Sequence, residues 1–194
     1  MRLPMTLAMT SAMLFLGACA EKPVSTTEPG KAVMPGSKMA IRVDAGGDSD
    51  ITDKAGLKWS KDQIYKAGSW GRVGGDSVVR ESNLMIKNTY VPEIYRTEAF
   101  DMGAYRFTLP NGTYTVQLHF AETFESISAA GERVFSVTIE GKPVLTDLDL
   151  FKAVGANTAM IKAYEVKLVD GVLDIEFNSK VQSHLISAIE ILQP

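Results

Sequence analysis

The 194-residue chain carries 20 basic residues, 23 acidic residues, a formal net charge of −3 and a single cysteine. Its Lys and Arg residues are dispersed, which argues against a nucleic-acid partner, because a phosphate backbone is bound by clustered basic side chains. One cysteine cannot form an intramolecular disulfide, so the fold must be stabilised by its hydrophobic core.

The N-terminal segment is typical of an export signal. Arg2 supplies a positive charge, residues 5–16 are mostly apolar, and the run Leu16-Gly17-Ala18-Cys19 follows. The apolar stretch is too short to span a bilayer as a helix. It resembles a bacterial lipoprotein signal, which predicts a signal peptide over residues 1–18 and lipidation of Cys19. The alternative is an ordinary secretory signal that leaves Cys19 unmodified.

The residues that follow Cys19 predict a lipid-anchored tether. The residue after the cysteine is Ala20 rather than an acidic residue, and by resemblance to Gram-negative sorting this implies the outer membrane of a bacterial cell envelope. Residues 19–38 are predicted to form the lipidated terminus and a flexible tether, since Pro, Ser, Thr and Gly recur in them. As a coil, the tether would reach about 20–25 Å. The alternative is an N-terminal arm packed on the domain.

Residues 39–194 are predicted to form one all-β domain. Apolar and polar residues alternate with a period of two, which predicts strands with one buried face, in residues 114–120, 135–139, 164–168, 173–177 and 189–191. Turn signals separate these runs at Pro110-Asn111-Gly112, at Glu140-Gly141-Lys142-Pro143, and at Asp170-Gly171, which is predicted to be a two-residue hairpin loop. No helix-length amphipathic stretch lies between them, so the pattern favours an antiparallel β-sandwich.

Residues 44–92 are rich in Gly and Asp and contain both tryptophans, which predicts long loops at one end of the sandwich. Gly46-Gly47 indicates a positive φ or a close backbone approach, and Trp59 is predicted to be structural. Four aspartates, Asp44, Asp48, Asp50 and Asp53, could offer oxygens to calcium, but their spacing departs from that of an EF-hand loop. The alternative is Asx-turn chemistry, and no cofactor is predicted.

Eight short motifs resemble, in order, those of the malectin family of carbohydrate-binding domains. They are IRVDAGG (41–47), IYRTE (94–98), YRF (105–107), PNGTYTV (110–116), LHFAE (118–122), RVFSV (133–137), DLDLF (147–151) and SAIEI (187–191). The resemblance covers essentially all of residues 39–194. It implies a jelly-roll-like sandwich whose loops bind a short glucan-type oligosaccharide through aromatic side chains, without catalysis.

The resemblance also implies candidate sugar-binding aromatics in the first half of the domain. The family has a tyrosine in the loop after its Gly-rich strand, and Trp70 is the best equivalent, with Tyr65 close behind. The tyrosine of the Tyr-x-Thr-Glu motif is kept as Tyr95, and a downstream aromatic is kept as Phe100. For each of these residues the alternative is packing in the core.

In the second half the match is partial. The family has two adjacent aromatics after its Phe-Ala-Glu motif; here the first is kept as Phe124, and Glu125 replaces the second. A late acidic ligand of the family falls near residues 182–184, where this chain has no carboxylate but has His184. We expect Trp70, Tyr95 and Phe124 to converge at one end of the sandwich. The edge of the site is predicted to hold Tyr65, Phe100, Glu125 and His184.

Enzymatic functions fit the sequence poorly. Glycoside hydrolysis needs two facing carboxylates, and pairs such as Glu122 with Glu125 are explained equally well as loop ties. Glu122 is expected to hold a loop by accepting backbone N–H bonds, and Phe120, Phe135 and Phe151 are expected in the core. The leading hypothesis is a non-catalytic glycan-binding lipoprotein, and the alternative is an envelope-anchored protein-interaction domain. A concave aromatic cleft would favour the first hypothesis, and a broad apolar patch the second.

Overall fold

The computed structural model describes residues 39–193, and strands dominate them. The first five strands are β1 (Met39–Asp44), β2 (Ile51–Thr52), β3 (Lys58–Lys61), β4 (Trp70–Val73) and β5 (Asp76–Val79). After a 3₁₀ turn (Pro92–Tyr95) come β6 (Thr97–Phe100), β7 (Ala104–Thr108), β8 (Gly112–Phe120), β9 (Val134–Ile139) and β10 (Lys142–Leu148). A short helix α1 (Leu150–Val154) precedes β11 (Met160–Leu168), β12 (Val172–Val181), β13 (Leu185–Ile186) and β14 (Ala188–Gln193).

The strands form two large sheets and one small sheet. The six-stranded sheet has the order β11-β8-β14-β1-β3-β2, and the five-stranded sheet has the order β10-β9-β12-β7-β4. The small sheet has the order β13-β6-β5. Pairing is antiparallel throughout, apart from the parallel contact of β1 with β3. The predicted all-β sandwich is therefore confirmed.

The main core lies between the two large sheets, because alternate residues of each strand point toward it. Phe120 from β8 and Phe135 from β9 are fully buried and 5.9 Å apart between ring centroids, so their predicted core positions are confirmed. The same prediction is wrong for Phe151, which is half-buried on α1. That helix begins after Asp149, whose Oδ1 accepts a hydrogen bond from the backbone N–H of Lys152 at 2.9 Å.

The turn at Asp170-Gly171 connects two sheets, so the predicted hairpin is wrong. β11 pairs with β8 in the six-stranded sheet, whereas β12 pairs with β7 and β9 in the five-stranded sheet. Of the two turn residues, Gly171 has a positive φ, of 84°, and Asp170 does not. A tight hairpin turn does occur at Glu140-Gly141, where φ is 52° and 68°, between the paired strands β9 and β10. A glycine in a short loop marks a reversal, but it does not say whether the flanking strands pair.

Two glycines allow neighbouring backbone to approach β6 closely. A Cβ on Gly46, where φ is 79°, would lie 2.3 Å from the carbonyl oxygen of Glu98. A Cβ on Gly75, where φ is 74°, would lie 2.5 Å from the carbonyl oxygen of Phe100. Both positions therefore require glycine for conformation and for space, as predicted at Gly46. These two close contacts hold β6 at the end of the sandwich where the candidate site lies.

A second apolar cluster packs on the opposite side of β8 and β14 from the main core. Its buried members are Trp59, Ile86, Ile94, Tyr95, Ala121, Ala159 and Ala188. The six-stranded sheet is thus covered on both faces, and the segment before β6 supplies part of the outer cover.

The predicted signal peptide, the lipidation site Cys19 and the tether lie outside the described residues. Within residues 39–193 no helix has both the length and the apolar character needed to cross a bilayer.

Candidate functional site

A concave cavity of about 360 Å³ opens beside β6. It is bounded by the small sheet, the loop after β8, the start of β9 and the turn between β12 and β13. Its lining residues are Val78, Arg80, Glu98, Phe100, Phe124, Arg133, Gln182 and Ser183. We call this feature the β6 cavity.

One wall of the β6 cavity is a closed hydrogen-bond network. Arg80 donates from Nη2 to Oε1 of Glu98 at 2.6 Å and from Nε to Oγ1 of Thr123 at 3.1 Å. The Thr123 hydroxyl donates in turn to Oε2 of Glu98 at 2.9 Å. The Arg80 guanidinium carbon also lies 5.8 Å from the centroid of the Phe124 ring. The network therefore ties the end of β5, β6 and the loop after β8 to each other.

A second ion pair fixes the opposite wall. Arg133 donates from Nε to Oε2 of Glu122 at 2.7 Å, and from Nη1 to the carbonyl oxygen of Ser183. Oε1 of Glu122 accepts the backbone N–H of Phe124 at 3.2 Å, so the prediction that Glu122 holds a loop is confirmed. Burial raises the pKa of Glu122, and the hydrogen bond from Arg133 opposes that rise.

Of the predicted site residues, Phe100 and Phe124 line the β6 cavity. Phe124 is 37% exposed, and Phe100 is half-buried. Glu125 is exposed beside Phe124 in the chain, but it is not among the lining residues. A partly exposed aromatic ring thus stands next to fixed polar groups.

His184 lies behind the cavity wall, so its predicted contact with ligand is corrected to a supporting position. It is 6% exposed, its ring stacks on Phe177 at 5.5 Å, and its Nε2 donates to the carbonyl oxygen of Met102 at 2.6 Å. Because a carbonyl only accepts, the proton is on Nε2, and Nδ1 accepts from the hydroxyl of Ser179 at 2.8 Å. Burial lowers the pKa of His184. The ring braces the turn that carries Ser183.

Tyr95 is 1% exposed, so the prediction that it is a sugar-stacking residue is wrong. It belongs to the second apolar cluster, and its hydroxyl lies 2.9 Å from Nδ1 of His119. Trp59 meets the same imidazole edge-on at a centroid distance of 5.5 Å. Burial lowers the pKa of His119 to about 3, so the ring is neutral at physiological pH. Tyr95 therefore packs the outer face of the six-stranded sheet.

Trp70 and Tyr65 also lie away from the β6 cavity lining. Trp70 is half-buried on the edge strand β4, where it stacks on Phe107 with ring centroids 6.0 Å apart and an interplanar angle of 11°. Tyr65 is half-buried, and the guanidinium carbon of Arg106 lies 5.9 Å from its ring centroid. The predicted convergence of Trp70 and Tyr95 with Phe124 does not occur.

Sequence reasoning missed the two arginines of the β6 cavity. Arg80 and Glu98 are 18 residues apart, and no local spacing indicates that they pair. Arg133 and Glu122 gave a weak signal, since they are opposite charges at the facing ends of consecutive long strands, one after β8 and one before β9. Ion pairs of this kind depend on tertiary contacts that periodicity does not reveal.

Two of the four aspartates considered for calcium, Asp50 and Asp53, hold loops. Asp53 accepts two backbone N–H bonds at Oδ1, and at Oδ2 it accepts the indole N–H of Trp59 at 3.1 Å. Trp59 is 3% exposed and structural, as predicted. Asp50 accepts the backbone N–H of Lys61 at 2.9 Å, and burial raises the pKa of Asp44 to about 7. Among residues 39–193 no group of three or more His, Cys, Asp or Glu is arranged to hold a metal ion.

Comparison with known proteins finds relatives and solved structures that are similar to this chain over most of the domain. Malectin-B of Xenopus laevis is 28% identical over 143 residues, which is 72% of this chain and 49% of that protein. The chain therefore spans about half the length of this relative. Among solved structures, a β-glucuronidase of Bacteroides uniformis has a TM-score of 0.74 and 28% identity, over 80% of this chain and 18% of that one.

A plant receptor-like kinase, FER, shares the fold. Its TM-score is 0.66 at 22% identity, over 78% of this chain and 48% of that one. The family model described as the Malectin domain matches residues 39–191, which include every lining residue of the β6 cavity. The chain thus belongs to the malectin-domain family.

Proposed function

We propose that this domain binds a short glycan in the β6 cavity without catalysing its hydrolysis. The observation that carries the proposal is the exposed ring of Phe124 beside the fixed network of Arg80, Thr123 and Glu98. A sugar ring has an apolar C–H face that stacks on an aromatic ring, and hydroxyls at its rim that need partners. Both kinds of partner are offered within one cavity.

The size of the cavity is consistent with a small ligand. A volume of about 360 Å³ is near the lower end for small-molecule sites and suits one or two sugar rings. A disaccharide has about 23 heavy atoms, and at about 0.3 kcal/mol per atom its binding free energy is limited to about 7 kcal/mol. We therefore expect a Kd no tighter than about 10 μM. A glucan-type oligosaccharide is the ligand that the family resemblance favours.

The state of the two buried carboxylates argues against catalysis in the cavity. A glycosidase needs one carboxylic acid and one carboxylate facing the scissile bond. Here Glu98 and Glu122 are both almost inaccessible, at 4% and 1% exposure, and each is paired with an arginine. The likeness to the Bacteroides β-glucuronidase covers 18% of that enzyme, so it does not by itself carry the enzyme's activity to this chain.

We also propose that Cys19 anchors the domain in the bacterial envelope, with the outer membrane favoured by Ala20. The support is the sequence run Leu16-Gly17-Ala18-Cys19. Detergent-phase partitioning of the wild type and of Cys19→Ser is the test, because the variant cannot be acylated. Release of the variant from membranes, or its failure to be cleaved, is expected. Identical partitioning of the two proteins would exclude the anchor.

The glycan-binding proposal is tested by a glycan array probed with the purified protein. Binding to a subset of oligosaccharides is expected, together with no release of reducing sugar from the glycans that bind. Absence of binding across α- and β-linked glucans and acidic polysaccharides would reject the proposal. In that case the remaining hypothesis is a protein-interaction domain.

A further inference from the structure

The two carboxylates in the wall of the β6 cavity, those of Glu98 and Glu122, already accept hydrogen bonds from the protein. Each carboxylate oxygen of Glu98 accepts one hydrogen bond, from Arg80 or from Thr123, and the side chain is 5% exposed. Glu122 accepts from Arg133 and from the backbone of the loop after β8, and its side chain is fully buried. A ligand hydroxyl that must donate therefore finds few accessible oxygens in this wall.

The donors are occupied only in part. Arg80 donates hydrogen bonds to Thr123 and Glu98 from Nε and Nη2, which together form one edge of the guanidinium. The other edge, formed by Nη1 and the second N–H of Nη2, has no partner among residues 39–193. The side chain is 22% exposed. Gln182 at the opposite side uses its Oε1 to accept the backbone N–H of Ser183 at 3.0 Å, so the Oε1 of this exposed side chain is already engaged.

The accessible charge is positive even though the two ion pairs cancel. Glu98, Glu122 and Arg133 are almost inaccessible, with side-chain exposures of 5%, 0% and 5%. Arg80, at 22%, is the most exposed of the three charged lining groups. Glu125 is exposed nearby in the chain but does not line the cavity. A planar guanidinium edge with two parallel N–H groups matches the two oxygens of a carboxylate.

Resting on the proposed glycan-binding function, we propose that the preferred ligand is an acidic sugar, whose carboxylate binds the open edge of Arg80 while its ring stacks on Phe124. The Arg80 guanidinium is held against Glu98 and Thr123, so it is pre-organised for this contact. The same guanidinium lies over the Phe124 ring, with its carbon 5.8 Å from the ring centroid, so a sugar would stack on the opposite face. The two groups thus present a charged edge and an aromatic face at a fixed spacing.

The test compares matched ligands on the purified full chain by calorimetry at low salt. The ligands are α- and β-1,4-linked glucose disaccharides, the same disaccharides with C6 of the non-reducing sugar oxidised to a carboxylate, and the methyl esters of those acids. We expect the acid to bind at least about tenfold more tightly than the neutral sugar, and the ester to lose that gain. Added salt should reduce the preference, because the Arg80 edge is exposed.

Three variants test whether Arg80 causes the preference for the acidic disaccharide. Arg80→Gln should abolish it, and Arg80→Lys should keep only part of it, because an ammonium has no planar fork. Arg106→Gln is the matched control, since Arg106 is also ion-paired, with Asp174 at 2.7 Å, but does not line the β6 cavity. It should keep the full preference. Thermal melts establish that each variant is folded at the titration temperature.

Equal affinity of the wild type for acid and neutral disaccharides would overturn this inference and leave glycan binding intact. That comparison needs no variant, so it holds even if an Arg80 variant misfolds. Loss of the preference in Arg106→Gln but not in Arg80→Gln would also overturn it, by moving the acidic site to the face near Tyr65. Failure to bind any glycan would reject the proposed function itself, and the inference with it.

Discussion

The β6 cavity and the cluster around Tyr95 contain similar residue types, but they differ in how far their aromatic side chains are exposed to solvent. In the cavity, Phe124 keeps more than a third of its surface exposed, and the charged groups are held in ion pairs. In the cluster, Tyr95 and Trp59 are sealed from solvent around His119, whose Nε2 has no hydrogen-bond partner among residues 39–193. Aromatic and polar residues together therefore indicate a binding site only where part of the aromatic side chain stays exposed.

The two regions meet within one sequence motif. Tyr95 ends the 3₁₀ turn and Thr97 begins β6, so the chain passes from one region to the other within Tyr95-Arg96-Thr97-Glu98. Tyr95 points to the outer face of the six-stranded sheet, where it meets His119. Glu98, three residues later, lines the β6 cavity. A single family motif can thus supply one residue to packing and another to a site.

The largest expected effect is a loss of stability in Tyr95→Ala. Removing a fully buried aromatic ring leaves a cavity in the second cluster and leaves His119 Nδ1 without its partner. We expect the free energy of unfolding to fall by about 3–5 kcal/mol. Chemical denaturation measures this. A fall below about 1 kcal/mol would mean that Tyr95 is not packed as described, and would restore it as a candidate for sugar stacking.

A smaller effect is expected from the titration of His119. Burial lowers its folded pKa to about 3, whereas the unfolded chain takes up a proton near the ordinary value of 6.5. The unfolded state therefore binds more protons between these values, and this contribution to stability is lost as the pH falls from 6.5 toward 3. The slope is at most about 1.4 kcal/mol per pH unit.

The His119→Gln variant isolates this contribution. Burial raises the pKa of Asp44 to about 7 and that of Glu190 to about 6, so these groups change stability in the opposite sense. They contribute stability at low pH that is lost as the pH rises through those values. Both carboxylates remain in the variant, so the wild-type advantage over His119→Gln should shrink on acidification. A constant difference between pH 7 and pH 4 would show that His119 is not held neutral.

The sequence predicted the strands well and their partners poorly. Alternation identified β8, β9, β11 and β12, because period-two burial is a local property. It could not show that β11 and β12 lie in different sheets, since Asp170-Gly171 serves a connection between sheets as readily as a hairpin. Strand partners depend on contacts between distant parts of the chain, which local periodicity does not describe.

The candidate site was predicted in part for the same reason. Phe100 and Phe124 were identified from the family motifs and do line the β6 cavity. Tyr95 and Trp70 were identified from the same resemblance, but their exposure depends on what packs against them. Arg80 was missed, because its pairing with Glu98 joins two strands of the small sheet and has no signature in spacing.

The central claim is that glycan binds beside Phe124 rather than beside Trp70, and calorimetry of two matched variants tests it most directly. Phe124→Ala and Trp70→Ala each remove one aromatic ring, and each is titrated, after circular dichroism shows it to be folded, with a glycan that the wild type binds. Phe124→Ala should weaken binding by about 1–3 kcal/mol, while Trp70→Ala should change it by less than about 0.5 kcal/mol. Loss of affinity in Trp70→Ala with affinity retained in Phe124→Ala would contradict the claim and place the site on the β4 edge.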